Sequence, residues 1–571
     1  MNTQYLTTVL FVLCSFASGQ GSFFQNETDL VDAMVSAVMG CKNIPGMSVS
    51  MVRGDDFFAK GYGHARLDPP LNWTSQTPAY LGSVGKAITS ALLGILMTEQ
   101  RNRADSFDWN TRLYNIFGSN FRLSGARSAM TIKDLLSHRT GLSDTDVYTD
   151  MTKIGRAEFL KRLKYLPSLG EFRNSWIYNN LLYAMAGHVA QVRTGQPYEN
   201  LINNKIIGPL GMRQASCGTM IYPTSSQTNY ALPYHLKNGK LEVGDSRIYQ
   251  IGDLVPAGCL IASAEDLGKW VQFMASGGKN ANQAQLIHPD LFREIINPQR
   301  LLDDLSVSRF SLDSDYPVNA SGTWYGLGWY GGDYRGHKRL LNPGNRYGYS
   351  AVVGFFPDKN AGFSISINGP WYNNYRTDLA PLSYVLSDII LGESQWLDNN
   401  TICSFPAPWK NPASNSSSNT TQPPVESVPI ESKTQYLGTY GSRVFGKMTI
   451  GQINDQVLSF QMNSVGIGNL SMISRADGTF RMIFNELLND VVGSDCSLQF
   501  ISYNGTVYGS VRVLYECFNT VYDYHRGVNF VELEDKPSST SASAAASLSK
   551  WSTLIFCLFV ALPLMRSGEL A

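Results

Sequence analysis

Apolar positions in the chain recur with two periods, one of two residues and one of three to four, and they switch between these repeatedly from about residue 26 to 400. GMSVSMVRGDDFFAKGYGHA (Gly46 to Ala65) has short β-type runs on either side of Gly54-Asp55-Asp56, which predicts two strands joined by a tight turn. KAITSALLGILMTEQ (Lys86 to Gln100) gathers Ile88, Leu92, Ile95 and Leu96 on one face, which predicts a helix. SAVVGFFPDKNAGFSISIN (Ser350 to Asn368) predicts a hairpin punctuated by Pro357-Asp358 and Gly362, and Leu379 to Leu391 predicts a closing helix. Strands at both ends with helices between imply an α+β domain whose first and last parts share one sheet.

This pattern stops at Ser404 to Ser432, which holds six Pro, seven Ser and little apolar material, the composition of a linker. Beyond it, residues 434–530 carry short alternating runs separated by Gly and Asn/Asp: KMTIGQI, VLSFQM, TFRMIF, LQFISY and TVYGSVRVLY. They predict a second, all-β domain, a small barrel or sandwich.

The composition narrows the function. With 46 basic and 46 acidic residues in 571 the net charge is zero, and charged residues make up only 16%. No Lys/Arg block of the size that binds a polyanion is present, which argues against nucleic acid as a partner. At 43% hydrophobic and 12% aromatic, the chain has ample material for a core.

The termini indicate the compartment. Residues 1–19 contain the apolar run YLTTVLFVLCSFA followed by Ala17-Ser18-Gly19, the order of a secretory signal. Residues 536–571 hold a small-residue stretch, SASAAAS, ahead of the thirteen-residue run TLIFCLFVALPLM. That run would be about 20 Å long as a helix, short for a ~30 Å bilayer core, and the order is that of a GPI attachment signal. Sequons at Asn26, Asn72, Asn319, Asn399, Asn415, Asn419, Asn469 and Asn504 suit a glycoprotein outside the cell, anchored at its surface or deposited in matrix. Without Cys14 and Cys557 of the terminal segments, six cysteines remain. An even count in an oxidising compartment implies disulfides, with Cys496 pairing to Cys517; Cys41, Cys217, Cys259 and Cys403 leave three connectivities open.

Ser83-Val84-Gly85-Lys86 opens the first strong helix. A hydroxyl and an amine at i and i+3 share one face of the first turn, where the amine can take the hydroxyl proton and the helix N-terminus favours developing negative charge. Ser-x-x-Lys also occurs at Ser276…Lys279 and Ser547…Lys550, so the bare pattern is weak. Its surroundings are specific. YLGSVGKAITSALLG, MTIKDLLSHRTGL (Met130 to Leu142), IYNNLLYAMAGHVAQVRTG (Ile177 to Gly195), IIGPLGM (Ile206 to Met212), PAGCLIASAEDLGKW (Pro256 to Trp270) and YGLGW (Tyr325 to Trp329) follow one another in order. Over residues 30 to 392 the chain resembles the serine β-lactamase and penicillin-binding-protein superfamily, in its class C β-lactamase and D-alanyl-D-alanine carboxypeptidase branch.

The resemblance implies a β-lactamase-like domain over residues 26–400, an antiparallel sheet flanked by helices with a helical subdomain. It implies that Ser83 is the acylated nucleophile, Lys86 its proton acceptor, Tyr178 a general acid/base and Asn180 a ligand of Lys86 and of the substrate amide. A phenol beside an ammonium is expected to have a lowered pKa. Tyr372-Asn373-Asn374 is a second match to Tyr-x-Asn outside the family's order and is read as loop. The third element departs from the family. Where the family has Lys-Thr-Gly or His-x-Gly, this chain has Asn342-Pro343-Gly344, then Asn345. Gly344 permits close approach and the Asn345 amide, with that of Ser83, completes the expected oxyanion hole. Asn342 lacks the charge a Lys brings to a substrate carboxylate, which favours an uncharged ester or amide. Pro343 requires the strand to be locally an edge. His138, in LLSHRTGL, is read as structural.

The post-linker segment beginning YLGTYGSRVFGKMTI (Tyr436 to Ile450) is similar to the lipocalin-like C-terminal module of some hydrolases of this superfamily, which implies packing on the catalytic domain or homo-oligomer assembly. No His/Cys/Asp cluster has metal spacing, so neither metal nor cofactor is expected. Two functions follow. One is an extracellular serine hydrolase of esterase, amidase or peptidase type acting on a small ester, amide or peptide. The other is a catalytically silent β-lactamase-like matrix or binding protein.

Overall fold

The computed structural model describes residues 23–144, 155–218, 228–237, 239–249, 251–370, 379–410, 429–444, 446–454, 457–462, 466–484, 496–514 and 521–528. Its centre is a nine-stranded antiparallel sheet. From edge to edge the strands are Pro70–Asn72, Asp56–Leu67, Gly46–Arg53, Ala361–Ile367, Tyr349–Phe356, His337–Arg346, Tyr330–Tyr334, Trp324–Tyr325 and Arg300–Leu301. The first long strand pairs with the last, Met47 opposite Ile367, so the two ends of the domain share one sheet as the sequence predicted.

Period-two side-chain alternation builds two cores. Met47, Val49, Met51, Val352 and Ile365 pack under the terminal helices Gln25–Cys41 and Ala380–Leu391. Val353 and Phe355 face the opposite layer, with Leu267 and Val271 of the helix Ala264–Ala275. Two buried cross-strand serine pairs join the central strands, Ser48 with Ser366 at 2.8 Å and Ser50 with Ser364 at 2.6 Å, so these polar groups satisfy one another.

Cys41, at the end of the first helix, is bonded to Cys403, and Cys217 to Cys259, which selects one of the three connectivities. Cys496 is also disulfide-bonded, but its expected partner Cys517 lies outside the described residues. Of the sequon asparagines, Asn26, Asn72, Asn319, Asn399 and Asn504 are exposed and Asn469 is half-buried; Asn415 and Asn419 lie outside the described residues, as do the expected signal and tail. Among the described residues no helix is long and apolar enough to cross a membrane.

The C-terminal domain is a closed eight-stranded barrel running from Gly438–Ser442 to Tyr522–Arg526, closed by Tyr440 opposite Arg526. Its interior is filled by side chains that include Tyr440, Met448, Phe460, Leu470, Phe480, Phe500 and Val511. Among the described residues, contacts through Arg443 tie it to the first domain. Arg162 Nη1 donates to the Arg443 carbonyl at 3.3 Å, and the Arg443 guanidinium lies 5.3 Å from the centre of the Tyr165 ring.

Candidate active site

The turn between the strand Ala79–Tyr80 and the helix Gly85–Glu99 is built around glycine. Gly82 has φ +57°, and a Cβ there would lie 2.7 Å from both N and O of Asn345. The turn presents Ser83, only 4% exposed, at the start of the helix, and Lys86 one turn further on the same side. Lys86 Nζ donates to Ser83 Oγ at 3.0 Å and to the Ala257 carbonyl at 3.0 Å. The Tyr178 hydroxyl donates to Ser83 Oγ at 2.8 Å, and Lys86 Nζ sits 4.7 Å from the centre of the Tyr178 ring. Two groups from distant stretches of sequence therefore converge on one oxygen.

Tyr178 is held from below. Asn179 caps the helix Asn180–Thr194 by accepting from Leu182 N at 3.1 Å, and its own N–H donates to His138 Nδ1 at 3.0 Å. His138 is fully buried with its ring 4.4 Å from that of Tyr178. Burial, with the Lys86 charge adding to it, holds its pKa well below the usual histidine range, so the ring stays neutral and Nδ1 is free to accept. The expectation of a lowered phenol pKa at Tyr178 is overturned: burial dominates, with Tyr330 adding to it, and pushes the pKa well above 10. At rest Tyr178 is therefore a proton donor.

Asn180 is brought to the site with a partner the sequence did not suggest. Its N and Nδ2 donate to Oδ1 and Oδ2 of Asp144, each at 3.0 Å. Three consecutive carbonyls of the PAGC motif, which sequence reasoning quoted without a role, position the helix from its other side. Pro256 O accepts from Thr89 Oγ1 at 2.5 Å, Ala257 O from Lys86, and Gly258 O from Tyr80 at 2.5 Å.

On the third element, the ladder between Tyr330–Tyr334 and His337–Arg346 ends at Leu341, so residues 342–346 are locally an edge and Pro343 costs no bond there. This free side lies against the Ser83 turn. A Cβ at Gly344 would come 1.9 Å from Leu81 O and 2.9 Å from the N atoms of Ser83 and Val84. The Asn345 backbone lies beside Gly82, next to Ser83. Asn342 is buried and donates through Nδ2 to the Gly328 carbonyl at 2.8 Å, an internal bond rather than a free donor. The competing Tyr372-Asn373-Asn374 lies outside the described residues, as does Ser547…Lys550. Ser276 Oγ is occupied by the carbonyls of Phe273 and Lys279.

The surroundings of Tyr178 are aromatic. Trp176, Tyr178 and Tyr330 are each partly exposed, with Trp176 6.2 Å from Tyr178 and 6.1 Å from Tyr330 between ring centres. Phe310 packs on Tyr330 with ring centres 4.2 Å apart. Among the described residues no group of three or more His/Cys/Asp/Glu could hold a metal.

Comparisons with known proteins bear on the family and the fold. The Beta-lactamase family model matches residues 31–383. The chain is 25% identical over 360 residues to the unguisins hydrolase ungD of Aspergillus violaceofuscus, covering 61% of this chain and 62% of that protein, so it spans under two thirds of that relative. It is 26% identical over 279 residues to Gigasin-6 of Magallana gigas, covering 48% of this chain and 90% of that one. Among solved structures, the octameric penicillin-binding protein homologue from Pyrococcus abyssi superposes with a TM-score of 0.52 at 16% identity, covering 87% of this chain and 99% of that one. A class C beta-lactamase mutant superposes at 0.50 and 18% identity, covering 64% and 97%. At these identities the two structures speak for the fold alone.

Proposed function

Since the chain belongs to the Beta-lactamase family of serine hydrolases, we propose that it is an active extracellular serine hydrolase acting through an acyl-enzyme on Ser83. The observation that carries this reading is the convergence of Lys86 Nζ and the Tyr178 hydroxyl on Ser83 Oγ at 3.0 and 2.8 Å. With Lys86 as the neutral amine, Ser83 Oγ attacks an ester or amide carbonyl while its proton passes to Lys86. Charge on the carbonyl oxygen is met by the backbone amides of Ser83 and Asn345, each such donor worth about 3 kcal/mol in the transition state. Tyr178, protonated at rest, gives its proton to the leaving group as the acyl carbon releases it, and is reprotonated from Lys86. Water then attacks the acyl-enzyme, one proton returns to Ser83 Oγ, and the acid is released. Asn180, fixed by Asp144, lines the floor.

The disulfides and the exposed sequons favour secretion as a glycoprotein, with the C-terminal tail as anchor. The octameric state named for the Pyrococcus abyssi structure motivates assembly through the barrel domain as part of the proposal. The test is fluorophosphonate labelling and p-nitrophenyl ester turnover by the full secreted chain against Ser83→Ala. Labelling that depends on Ser83 supports the reading. Its absence, with no ester turnover, leaves the silent binding protein, for which the internal bond of Asn342 would then be the structural reason.

A further inference from the structure

The core beneath the terminal helices encloses a positive charge that no side chain around it neutralises. Arg339 stands on the strand His337–Arg346, two residues before Leu341 and on the same face, between the sheet and the helix Ala380–Leu391. It is 2% exposed. Its guanidinium carbon lies 4.8 Å from the centre of the Tyr334 ring and 5.3 Å from that of Tyr384, and these two rings stack on each other at 5.6 Å. Among the described residues none offers a hydrogen-bond partner to its Nε, Nη1 or Nη2.

The carboxylates nearby are already committed. Asp388, one turn along the helix from Tyr384, accepts from the Tyr334 hydroxyl at 2.8 Å and pairs with Arg335 Nε at 2.9 Å. Glu393 lies 3.5 Å from Arg335 Nη1. Among the described residues no carboxylate oxygen comes within ion-pair distance of Arg339, whereas Arg335, in the same hairpin, has two partners. The tyrosine faces attract the cation, but two ring faces cannot take up the five N–H donors of a guanidinium. Burial cannot be relieved by losing the proton either, the route open to a buried lysine, because a guanidinium stays protonated in proteins. Water would accept hydrogen bonds and leave the charge unopposed, so the site calls for a counter-ion.

We propose that Arg339 binds a chloride ion in the core of the first domain, beside Tyr334 and Tyr384 and apart from Ser83. Closure of the site selects a monatomic anion. Phosphate, sulfate or a carboxylate would bring several oxygens that need donors of their own, and the neighbouring donors are spent, the Tyr334 hydroxyl on Asp388 and Trp396 Nε1 on Tyr334. The ion ties the strand that carries Asn342 and Gly344 to the helix Ala380–Leu391, whether or not Ser83 is acylated.

The test is urea unfolding of the full secreted chain in mixtures of sodium chloride and sodium gluconate at one ionic strength, with Arg339→Met and Arg339→Lys beside the wild type. Chloride raised from its dissociation constant to a hundred times that value should increase the wild-type folding equilibrium constant about 50-fold, because the unfolded chain has no such site. R339M, which replaces the cation by an apolar chain of similar length, should leave the constant flat within about twofold over the same range, and R339K should keep a weaker dependence. An equal rise in R339M, or no difference between chloride and gluconate in the wild type, overturns the proposal. Crystals of the wild type grown with sodium bromide give a reading that depends on no variant. An anomalous peak against the Arg339 guanidinium supports the site, and a map without one there refutes it.

Discussion

Gly344→Ala tests the close approach of the third element to the nucleophile. A Cβ at this position would stand 1.9 Å from Leu81 O, against a practical minimum near 3.0 Å, and the atoms in the way are backbone. The strand or the turn must therefore move by about 1 Å, which in an active site costs on the order of 10²-fold in rate. Because the Asn345 amide follows in the same strand, its loss as an oxyanion donor would carry the effect towards 10³-fold, or about 3–4 kcal/mol. The strain on the fold itself is of the order of 1–3 kcal/mol. The assay is single-turnover acylation with a p-nitrophenyl ester beside a thermal melt, with Gly40→Ala as control. Gly40 is helical and has nothing within 4 Å of its added methyl, so that variant should match or slightly exceed wild-type stability with unchanged rate. A G344A protein that acylates within threefold of wild type and melts with it would refute the idea that this glycine sets the distance to the oxyanion hole.

Three further outcomes follow from other parts of the molecule. Replacing Cys217 and Cys259 by Ser opens a 42-residue separation, with an expected loss of about 3–4 kcal/mol in urea unfolding; because Ala257 and Gly258 precede Cys259, the acylation rate should fall too, whereas an unchanged rate would mean these carbonyls hold Lys86 unaided. His138 is buried neutral with its pKa depressed, so its unfolded form binds the proton first and stability is lost as pH falls through about 6.5; His138→Asn should flatten this part of the stability-versus-pH curve and slow acylation by displacing Asn179 and Tyr178. Asp388, buried and bonded to Tyr334 and Arg335, has its pKa raised by burial to about 6, so the folded state binds its proton more tightly and up to about 3 kcal/mol of stability is lost as pH rises from about 4 to 6. Asp388→Asn should remove that slope, and a parallel slope in the variant would place its origin elsewhere.

Much of the first domain was legible because each element answered to one period: the hairpin at Gly54, the helix from Lys86 and the hairpin at Pro357 all lie within a residue or two of their predicted bounds. In the barrel, three strands escaped. Gly466–Ser474 places Gly466 and Gly468 at inward positions, so its alternation has no side chain to show; a Cβ on Gly468 would collide with Ile483 O at 2.2 Å. Tyr522–Arg526 is polar apart from its tyrosines, and Gly438–Ser442 consists of two glycines and three hydroxyl residues. Motif order led to Ser83, Lys86 and Tyr178, but it left the roles of Pro256, Ala257 and Gly258 blank, because backbone carbonyls carry no side-chain signature.

Charge shows the limit of motif reading most clearly. A sequence comparison asks what stands at the family's position, finds Asn342, and concludes that the cation is gone. Binding responds to potential in the cleft, and potential does not depend on which element supplies it. Asn342, turned inward to Gly328, serves the packing between the strand and the helix that begins beside Ser83. Asn342→Lys would leave a buried ammonium in place of the bond to Gly328 and should lower stability in a thermal melt by a few kcal/mol. An N342K protein that melts with the wild type would refute the packing role of Asn342.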